Sequence, residues 1–495
     1  MDAGDRRPLR LYPLPGHLHH DGPGLTADVS QGAALAGHAP RPAGGLLGSP
    51  AFVHSTVLRR GYAIWHLSEH YLLLHRRLRA GLPRGCLRGP AGACSISYAA
   101  GGWRSMMASM SGKPLRVAML GPYPRDPDRI GGGVEAVTAV LAREMARRPD
   151  VELHILSGLT GLRETRVEQR RRMTLYWLPR RRFARATFHW REVLDLRRLL
   201  RKIRPDVVHA HGTGVYAGAA LTAPFPAVIT VHGIVYREAR IAMGLKDRLG
   251  WELDALYERW VLRRARHIIA ISPYVEQEFG GWTRARLYRV ENPIPDAYFE
   301  IAGEGEPGRI LFAGRVIPRK DPITAIRAAA LLRERFPEVS LRIAGETEAE
   351  PAYARRVRAL VDELGLGDAV HFLGQLDEEA LLREYAACSL VLLTSVQETA
   401  PVVIEQAMAA GRPVVATAVG GVNGLLTHEV TGLLAPAGDA AAVADALARL
   451  LSSPAERARL AQEARRQALQ RFKASAVVEQ TLAVYREVMT LYHGE

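Results

Sequence analysis

Residues 389–421 constrain the fold of this chain more than any other stretch. Ser389-Leu-Val-Leu-Leu-Thr394 is short and mostly apolar, the pattern of a parallel strand buried on both faces. The turn Ser395-Val-Gln-Glu398-Thr-Ala follows. Pro401 suits the first position of a helix over 402–410, and Gly411 ends it. Val414-Val415-Ala416 then opens another strand, which leads to Val419-Gly420-Gly421. A strand, an acid-bearing turn, a helix and a strand place that turn outside the carboxyl ends of a parallel sheet. There it lies beside a helix N-terminus whose unpaired N–H groups attract anions. Glu398 becomes an acceptor for hydroxyls next to a place suited to phosphate, and a carbohydrate attached to a phosphate meets both requirements.

The same alternation runs through most of the chain. Strand patterns at 116–120, 151–156, 207–210, 227–231 and 267–271 alternate with helical ones such as 191–202 and 253–266. This argues for a parallel sheet with helices on both faces. Glu291-Asn-Pro-Ile-Pro295 is a stiff turn that ends the first series. A second series begins at 309–314 and continues through 341–344, 370–373, 390–394 and 414–417. The expected architecture is α/β, with two Rossmann-like domains of doubly wound parallel sheet at 113–296 and 297–473. An amphipathic helix over 474–495 is expected to pack back on the first of them. Residues 1–112, rich in Gly, Pro, Ala, His and Arg with little periodicity, read as a disordered extension. They also read as sequence upstream of a true start at Met106, Met107 or Met110.

Composition narrows the setting. Apolar content of 48% with 24% charged residues is ordinary for a globular chain. Cys86, Cys94 and Cys388 offer neither a disulfide framework nor metal spacing, so a reducing, cytoplasmic location is expected. No apolar run reaches the about 18 residues of a membrane span. The net charge of +15 is concentrated, since residues 162–204 hold 15 Lys and Arg against 4 Asp and Glu. Within 166–204 the arginines interleave with Met173, Leu175, Tyr176, Trp177, Leu178, Phe183, Phe188 and Trp190. That mixture suits peripheral contact with anionic lipid on the inner face of the cell membrane. A solvated face is the second reading of the same composition. Nucleic acid is disfavoured because no recognised binding module accompanies it. His66-Leu-Ser-Glu69-His70 has the spacing of an inverted zinc motif without a third ligand, and Asp126-Pro-Asp128 reads as turn chemistry. No metal is expected.

Near the start of the first series, Gly131-Gly132-Gly133 separates a strand from a helix carrying Val134, Val137, Leu141 and Met145 at helical spacing. Such a loop is an anion-binding opening or simply a flexible turn. Gly-x-Gly-x-x-Gly is absent, so it is not a dinucleotide fingerprint.

Taken together, these stretches resemble the retaining glycosyltransferases of the GT-B fold, specifically glycosyltransferase family 4. The family's signature is a turn Glu, seven residues, then a second Glu and Ala-Met-Ala. Here Glu398 holds the first place, Gln406 stands where the second acid belongs, and Glu405 falls one residue early. Gly314-Arg315 with Lys320 five residues on resembles the family's diphosphate-binding loop, and His232-Gly233 ends a strand where the family places a sugar-contacting His. The resemblance extends from about Leu115 to Tyr492.

It implies catalytic roles for His232 and Glu398, both at the donor sugar. Donor binding falls to Gly132, Gly133, Arg315, Lys320, Thr399 and Ala400, with Gln406 accepting ribose hydroxyls. Thr-Ala-Pro replaces the common Gly-Phe-Gly after the Glu, which alters the pocket. Glu405 is expected on the helix surface, and His209 and His211 are read as alternating faces, so that one of them lines the cleft without being catalytic. The implied activity is metal-independent, retaining transfer of a sugar from a nucleotide-diphosphate sugar to a hydroxyl of a lipid-linked or saccharide acceptor. No cofactor is implied. The alternatives are a sugar-nucleotide epimerase or hydrolase on the same fold, and a silent nucleotide-sugar binding protein.

Overall fold

The computed structural model describes residues 113–494 apart from 127–128, 182–186 and 242–244. The readings made for 1–112, including the His66 and His70 pair, Cys86 and Cys94, lie outside the described residues, as does Asp128.

The first lobe is an eight-stranded sheet. Its strands are β1 (Leu115–Leu120), β2 (Val151–Leu159), β3 (Arg166–Arg170), β4 (Met173–Pro179), β5 (Val207–His211), β6 (Ala227–Val231), β7 (His267–Ala270) and β8 (Arg286–Arg289). They lie in the order β3-β4-β2-β1-β5-β6-β7-β8, all parallel except the antiparallel edge strand β3. The second lobe has six parallel strands: β9 (Glu306–Ala313), β10 (Ser340–Ala344), β11 (Val370–Gly374), β12 (Cys388–Leu393), β13 (Val414–Thr417) and β14 (Leu433–Ala435). Their order is β11-β10-β9-β12-β13-β14.

Both sheets reverse direction of growth once, between β1 and β5 and between β9 and β12. In open α/β sheets the crevice outside the strand ends at such a reversal is where ligands bind. Gly121 and His211 follow or end the strands at the first reversal. The loops after Ala313 and Leu393 leave the second, and they carry Arg315, Lys320 and Glu398.

Central strands are apolar on both faces, as strands covered by helices on each side must be; Val117, Ala118, Met119 and Leu120 of β1 are all fully buried. Local chemistry starts the helices that flank them. Asp321, with φ of 46°, caps Pro322–Arg333 by accepting from Thr324 N, and Pro322 takes the first helical position. Ser453 and Pro454 open Pro454–Arg471 in the same way, the Ser453 side chain accepting from Glu456 N.

The last helix, Ala474–His493, supplies Val477, Val478, Leu482, Val484, Tyr485 and Val488 to the first-lobe core, against Val117, Met119 and Leu153. Each such burial contributes about 1.5–3 kcal/mol, so this helix is a wall of the first lobe rather than an appendage. Its approach is pinned where Ile294 N donates to Phe472 O at 2.8 Å.

The basic stretch 166–204 differs from its reading as a surface. Met173, Leu175, Trp177 and Leu178 are buried in β4, and Trp177 Nε1 donates to Glu168 Oε2 at 3.1 Å. The arginines on either side concealed a period-2 strand. What remains outward is the helix Trp190–Ile203, which buries Leu196, Leu200 and Ile203 and exposes Arg191, Arg198, Arg201 and Lys202, with Trp190 42% exposed. No helix among the described residues is long and apolar enough to cross a membrane.

Candidate active site

The centre of the site is a buried ion pair between two loops of the second lobe. Lys320 Nζ lies 2.6 Å from Glu398 Oε1, and Arg319 Nη1 lies 3.2 Å from Glu398 Oε2. Ser395 Oγ also donates to Glu398 Oε1, at 2.6 Å. Glu398 is 5% exposed. Burial alone would raise its carboxyl, but Lys320 and Arg319 hold it below the ordinary carboxylate range. Backbone contacts lock the two loops in register, Val396 N donating to Arg319 O and Thr394 Oγ1 to Asp321 O. Arg315, in contrast, is exposed and has no ion-pair partner among the described residues.

The turn that carries Glu398 is held from both lobes. Gly421 N donates to Glu398 O at 2.9 Å. From the first lobe, Ser272 Oγ donates to Thr399 O at 2.7 Å and Asn292 Nδ2 to Ala400 O at 3.4 Å. The backbone N–H groups of Thr399 and Ala400 have no acceptor among the described residues, and the helix Val402–Ala409 begins just beyond them with its own unpaired N–H groups. Gly133 abuts this helix start, since a Cβ there would lie 3.8 Å from Val402 Cγ2; at Gly132 a Cβ would meet nothing within 4 Å. Both lobes therefore border the same N–H-rich corner. Arg143 with Glu378, at 2.9 Å, and Gln375 Nε2 donating to Ile130 O, at 2.8 Å, hold the lobes together beside it.

His232 joins this arrangement at one remove. It follows β6, and its Nε2 lies 2.8 Å from Nδ1 of His211. Burial pushes its imidazolium down to about 4, so the ring is neutral at pH 7. Beside it, the Glu238 carboxylate packs against Gly233, where a Cβ would lie 3.2 Å from Oε1. Burial raises the Glu238 carboxyl, and the charges next in influence on it are Arg319, Glu398, Arg315 and Lys320 of the second lobe. Glu238 therefore lies beside the residue after His232 and within electrostatic reach of the ion pair.

Comparison with known proteins accords with this geometry. The model of the family described as Glycosyltransferase Family 4 matches residues 131–298, and that described as Glycosyl transferases group 1 matches residues 296–467. The chain is 30% identical to glycogen synthase of Mycobacterium tuberculosis over 297 residues, 58% of this chain and 69% of that one. The chain belongs to the group 1 glycosyltransferases. D-inositol 3-phosphate glycosyltransferase of Saccharomonospora viridis is 37% identical over 190 residues, which is 37% of this chain and 44% of the relative's length. The match thus spans less than half of that relative. The Anabaena protein HepE, crystallised with UDP and glucose, shares the fold with a TM-score of 0.58 and 22% identity, over 74% of this chain and 98% of that one.

Two expectations for this group 1 glycosyltransferase change in the structure. Glu405 is not on a helix surface. It is 0% exposed and accepts from Asn292 Nδ2 at 3.2 and 3.0 Å, and burial raises its carboxyl well above the usual range. The helix Val402–Ala409 is packed on all sides, so the face away from the sheet meets the inter-lobe turn instead of water. His209 and His211 lie on one face, as positions i and i+2 of a strand must, with ring centroids 4.2 Å apart.

Gln406 sits between two tyrosines. Its Oε1 accepts from Tyr385 Oη at 3.1 Å and its Nε2 donates to Tyr298 Oη at 3.0 Å.

Sequence reasoning missed Arg319 as a partner of Glu398, and it missed Glu238 and Glu258 altogether. Glu258, 1% exposed, accepts from Val235 N at 3.2 Å, Tyr236 N at 3.4 Å and Thr213 Oγ1 at 3.0 Å. It thereby supports the short helix Val235–Glu238 that carries Glu238. Burial pushes its carboxyl up to about 7 from an ordinary 4.5. Between those values the folded state holds more protons than the unfolded one, so this group's contribution to stability is complete below about 4.5 and is lost as pH rises through about 7. Wild type should therefore lose more stability than Glu258→Gln between pH 5 and pH 8, by about 3 kcal/mol at most. Denaturant midpoints at the two pH values measure the difference, and equal losses would refute it.

Proposed function

We propose that this chain is a retaining glycosyltransferase that moves a sugar from a nucleotide-diphosphate sugar to an acceptor hydroxyl. The observation that carries the reading is the cluster of Arg319, Lys320 and Glu398 at the second lobe's strand reversal, next to exposed Arg315. Without ligand the cations are neutralised by Glu398. An arriving diphosphate would draw Lys320 and the arginines to itself and release Glu398 to accept hydrogen bonds from sugar hydroxyls. As the glycosidic bond breaks, the leaving diphosphate gains charge. A cation about 4 Å away stabilises that charge by about 4 kcal/mol at an effective dielectric near 20. The unpaired N–H groups of Thr399, Ala400 and the helix start add to the same effect, which is how fixed dipoles substitute for a metal.

Once released, Glu398 is engaged by the sugar hydroxyls, and no other carboxylate of the cluster is assigned to attack the sugar carbon from the opposite face. This supports attack on the face from which the diphosphate departs, with the acceptor proton passing to the leaving phosphate. UDP and glucose in the HepE crystals support a nucleotide-sugar donor. The arginine face of Trp190–Ile203 supports an anionic acceptor or lipid surface at the first lobe.

The test is a thermal-shift screen of the full chain with UDP, GDP and ADP and their glucose conjugates. A ligand at about 100 times its Kd should stabilise the fold by about 2.7 kcal/mol. One base should do so in wild type and fail in Lys320→Met; no shift with any of them would refute the reading. Release of free sugar without an acceptor would instead favour the hydrolase alternative.

A further inference from the structure

The rings of His209, His211 and His232 adjoin one another in the first lobe, and their hydrogen bonds restrict where each ring carries its proton. Burial holds all three below the ordinary imidazole range, His209 at about 3, His232 at about 4 and His211 well below. Each ring is neutral at pH 7 and bears one proton on one of two nitrogens. Both nitrogens of His209 are taken, Nδ1 by Tyr485 Oη at 2.7 Å and Nε2 by Thr230 Oγ1 at 2.6 Å, so it can neither give a proton to His211 nor take one. The 2.8 Å contact between His211 Nδ1 and His232 Nε2, with ring planes 15° apart, therefore stands alone and contains one hydrogen.

There are two ways to place that hydrogen. If His232 donates, His211 must carry its own proton on Nε2, and that atom is buried with no partner among the described residues. A buried, orphaned N–H is among the rarest features of folded proteins and costs its full desolvation. If His211 donates from Nδ1, the buried Nε2 is a bare acceptor, the less costly of the two defects. We infer that His211 holds its proton on Nδ1 and gives it to His232 Nε2, so that His232 carries its only proton on Nδ1 and offers the cleft a hydrogen-bond donor rather than a base.

His211 is then a positioning residue. Gly121 keeps it in place, because a Cβ at that position would come 2.9 Å from His211 Cβ and 3.4 Å from its Cγ. An N–H at His232 fits a sugar oxygen that must be held while the bond to the diphosphate breaks; this last point rests on the function proposed above. No proton leaves His232 in that role.

The experiment is ring-nitrogen NMR on the full, ligand-free chain labelled with 15N-histidine, with two-bond correlations assigned through His211→Asn and His232→Asn. His232 is expected to show a protonated Nδ1 and a bare Nε2, and His211 a protonated Nδ1. A protonated Nε2 on His232 overturns the inference. His211→Leu removes the donor while keeping bulk, and the Nδ1–H signature of His232 should be lost. His211→Asn, which retains an N–H close to the position of Nδ1, should restore it. If the signature persists in the Leu variant, His211 does not position His232; if that variant does not fold, the wild-type spectrum still decides. No nucleotide sugar enters this measurement. A thermal-shift screen without a hit would therefore sink the functional reading and leave the tautomer result intact.

Discussion

Glu398→Leu will cost this protein more stability than Lys320→Met plus Glu398→Leu together, while both variants lose catalysis. In wild type the carboxylate and the Lys320 ammonium are both removed from water and meet at 2.6 Å, with Arg319 on the second oxygen. Removing one member of a buried pair leaves an uncompensated charge and typically costs about 3–5 kcal/mol. Glu398→Leu leaves two largely buried cations without their shared carboxylate, so the upper part of that range is expected. Adding Lys320→Met removes the more deeply enclosed cation, and apolar side chains of similar volume in place of such a pair are often neutral. Most of the lost stability should return. Donor turnover should not, because loss of one such electrostatic contact commonly costs about 100- to 1000-fold. Urea midpoints for the two single variants and the double variant give the coupling term, and sugar-nucleotide consumption gives the activity. Additive destabilisation would show that the two side chains are not held as a pair. A double variant with wild-type turnover would remove the cluster from the chemistry.

The contrast between what the sequence discloses here and what it conceals follows from the range of the interactions. The unit from β12 through the helix Val402–Ala409 to β13 is legible because each part has a local cause. Its strands are continuous apolar runs, Pro401 and Gly411 punctuate the helix, and the acid must fall in the turn. The pairing of Arg319 with Glu398 has no such local cause. Arg319 acquires its direction from the single turn Pro318–Lys320, and its partner is 79 residues away. Glu405 misleads for a related reason. Helical periodicity assigns a wet face only when one side of a helix is packed, and Val402–Ala409 is enclosed by the sheet, the helix Pro454–Arg471 and the turn at Asn292. β3 and β4 are hidden by the arginines around them, although Met173, Leu175 and Trp177 keep the alternation of a strand with one buried face. Glu238 and Glu258 are two of 51 acids with nothing in their neighbours to mark them. Only the packing of the helices against the crevice makes them exceptional.

Gly421→Ala should be among the most damaging single-methyl changes in the second lobe. A Cβ at Gly421 would overlap the carbonyl oxygen of Thr399 outright and crowd the Thr399 Cα at 3.3 Å. The obstacle is backbone, so no rotamer change relieves it. The carbonyl is also fixed from the other side by Ser272 Oγ, and the peptide before it by the hydrogen bond from Gly421 N to Glu398 O. Gly420, with φ of 48°, sits in the left-handed region next to it and admits little adjustment. Either the loop 420–421 or the turn 398–400 must therefore retreat. Overpacking of this kind costs about 1–3 kcal/mol and more where the backbone is confined, so a loss of about 3 kcal/mol is expected. The larger effect falls on activity. The retreat moves Glu398, and a displacement of about 1 Å at a reacting centre costs about 100-fold in rate. Gly367→Ala is the control: it lies in the same lobe and a Cβ there meets nothing within 4 Å, so melting temperature and turnover should match wild type. If Gly421→Ala also melts and turns over like wild type, the glycine pair does not brace the Glu398 turn, and the site's geometry is set elsewhere.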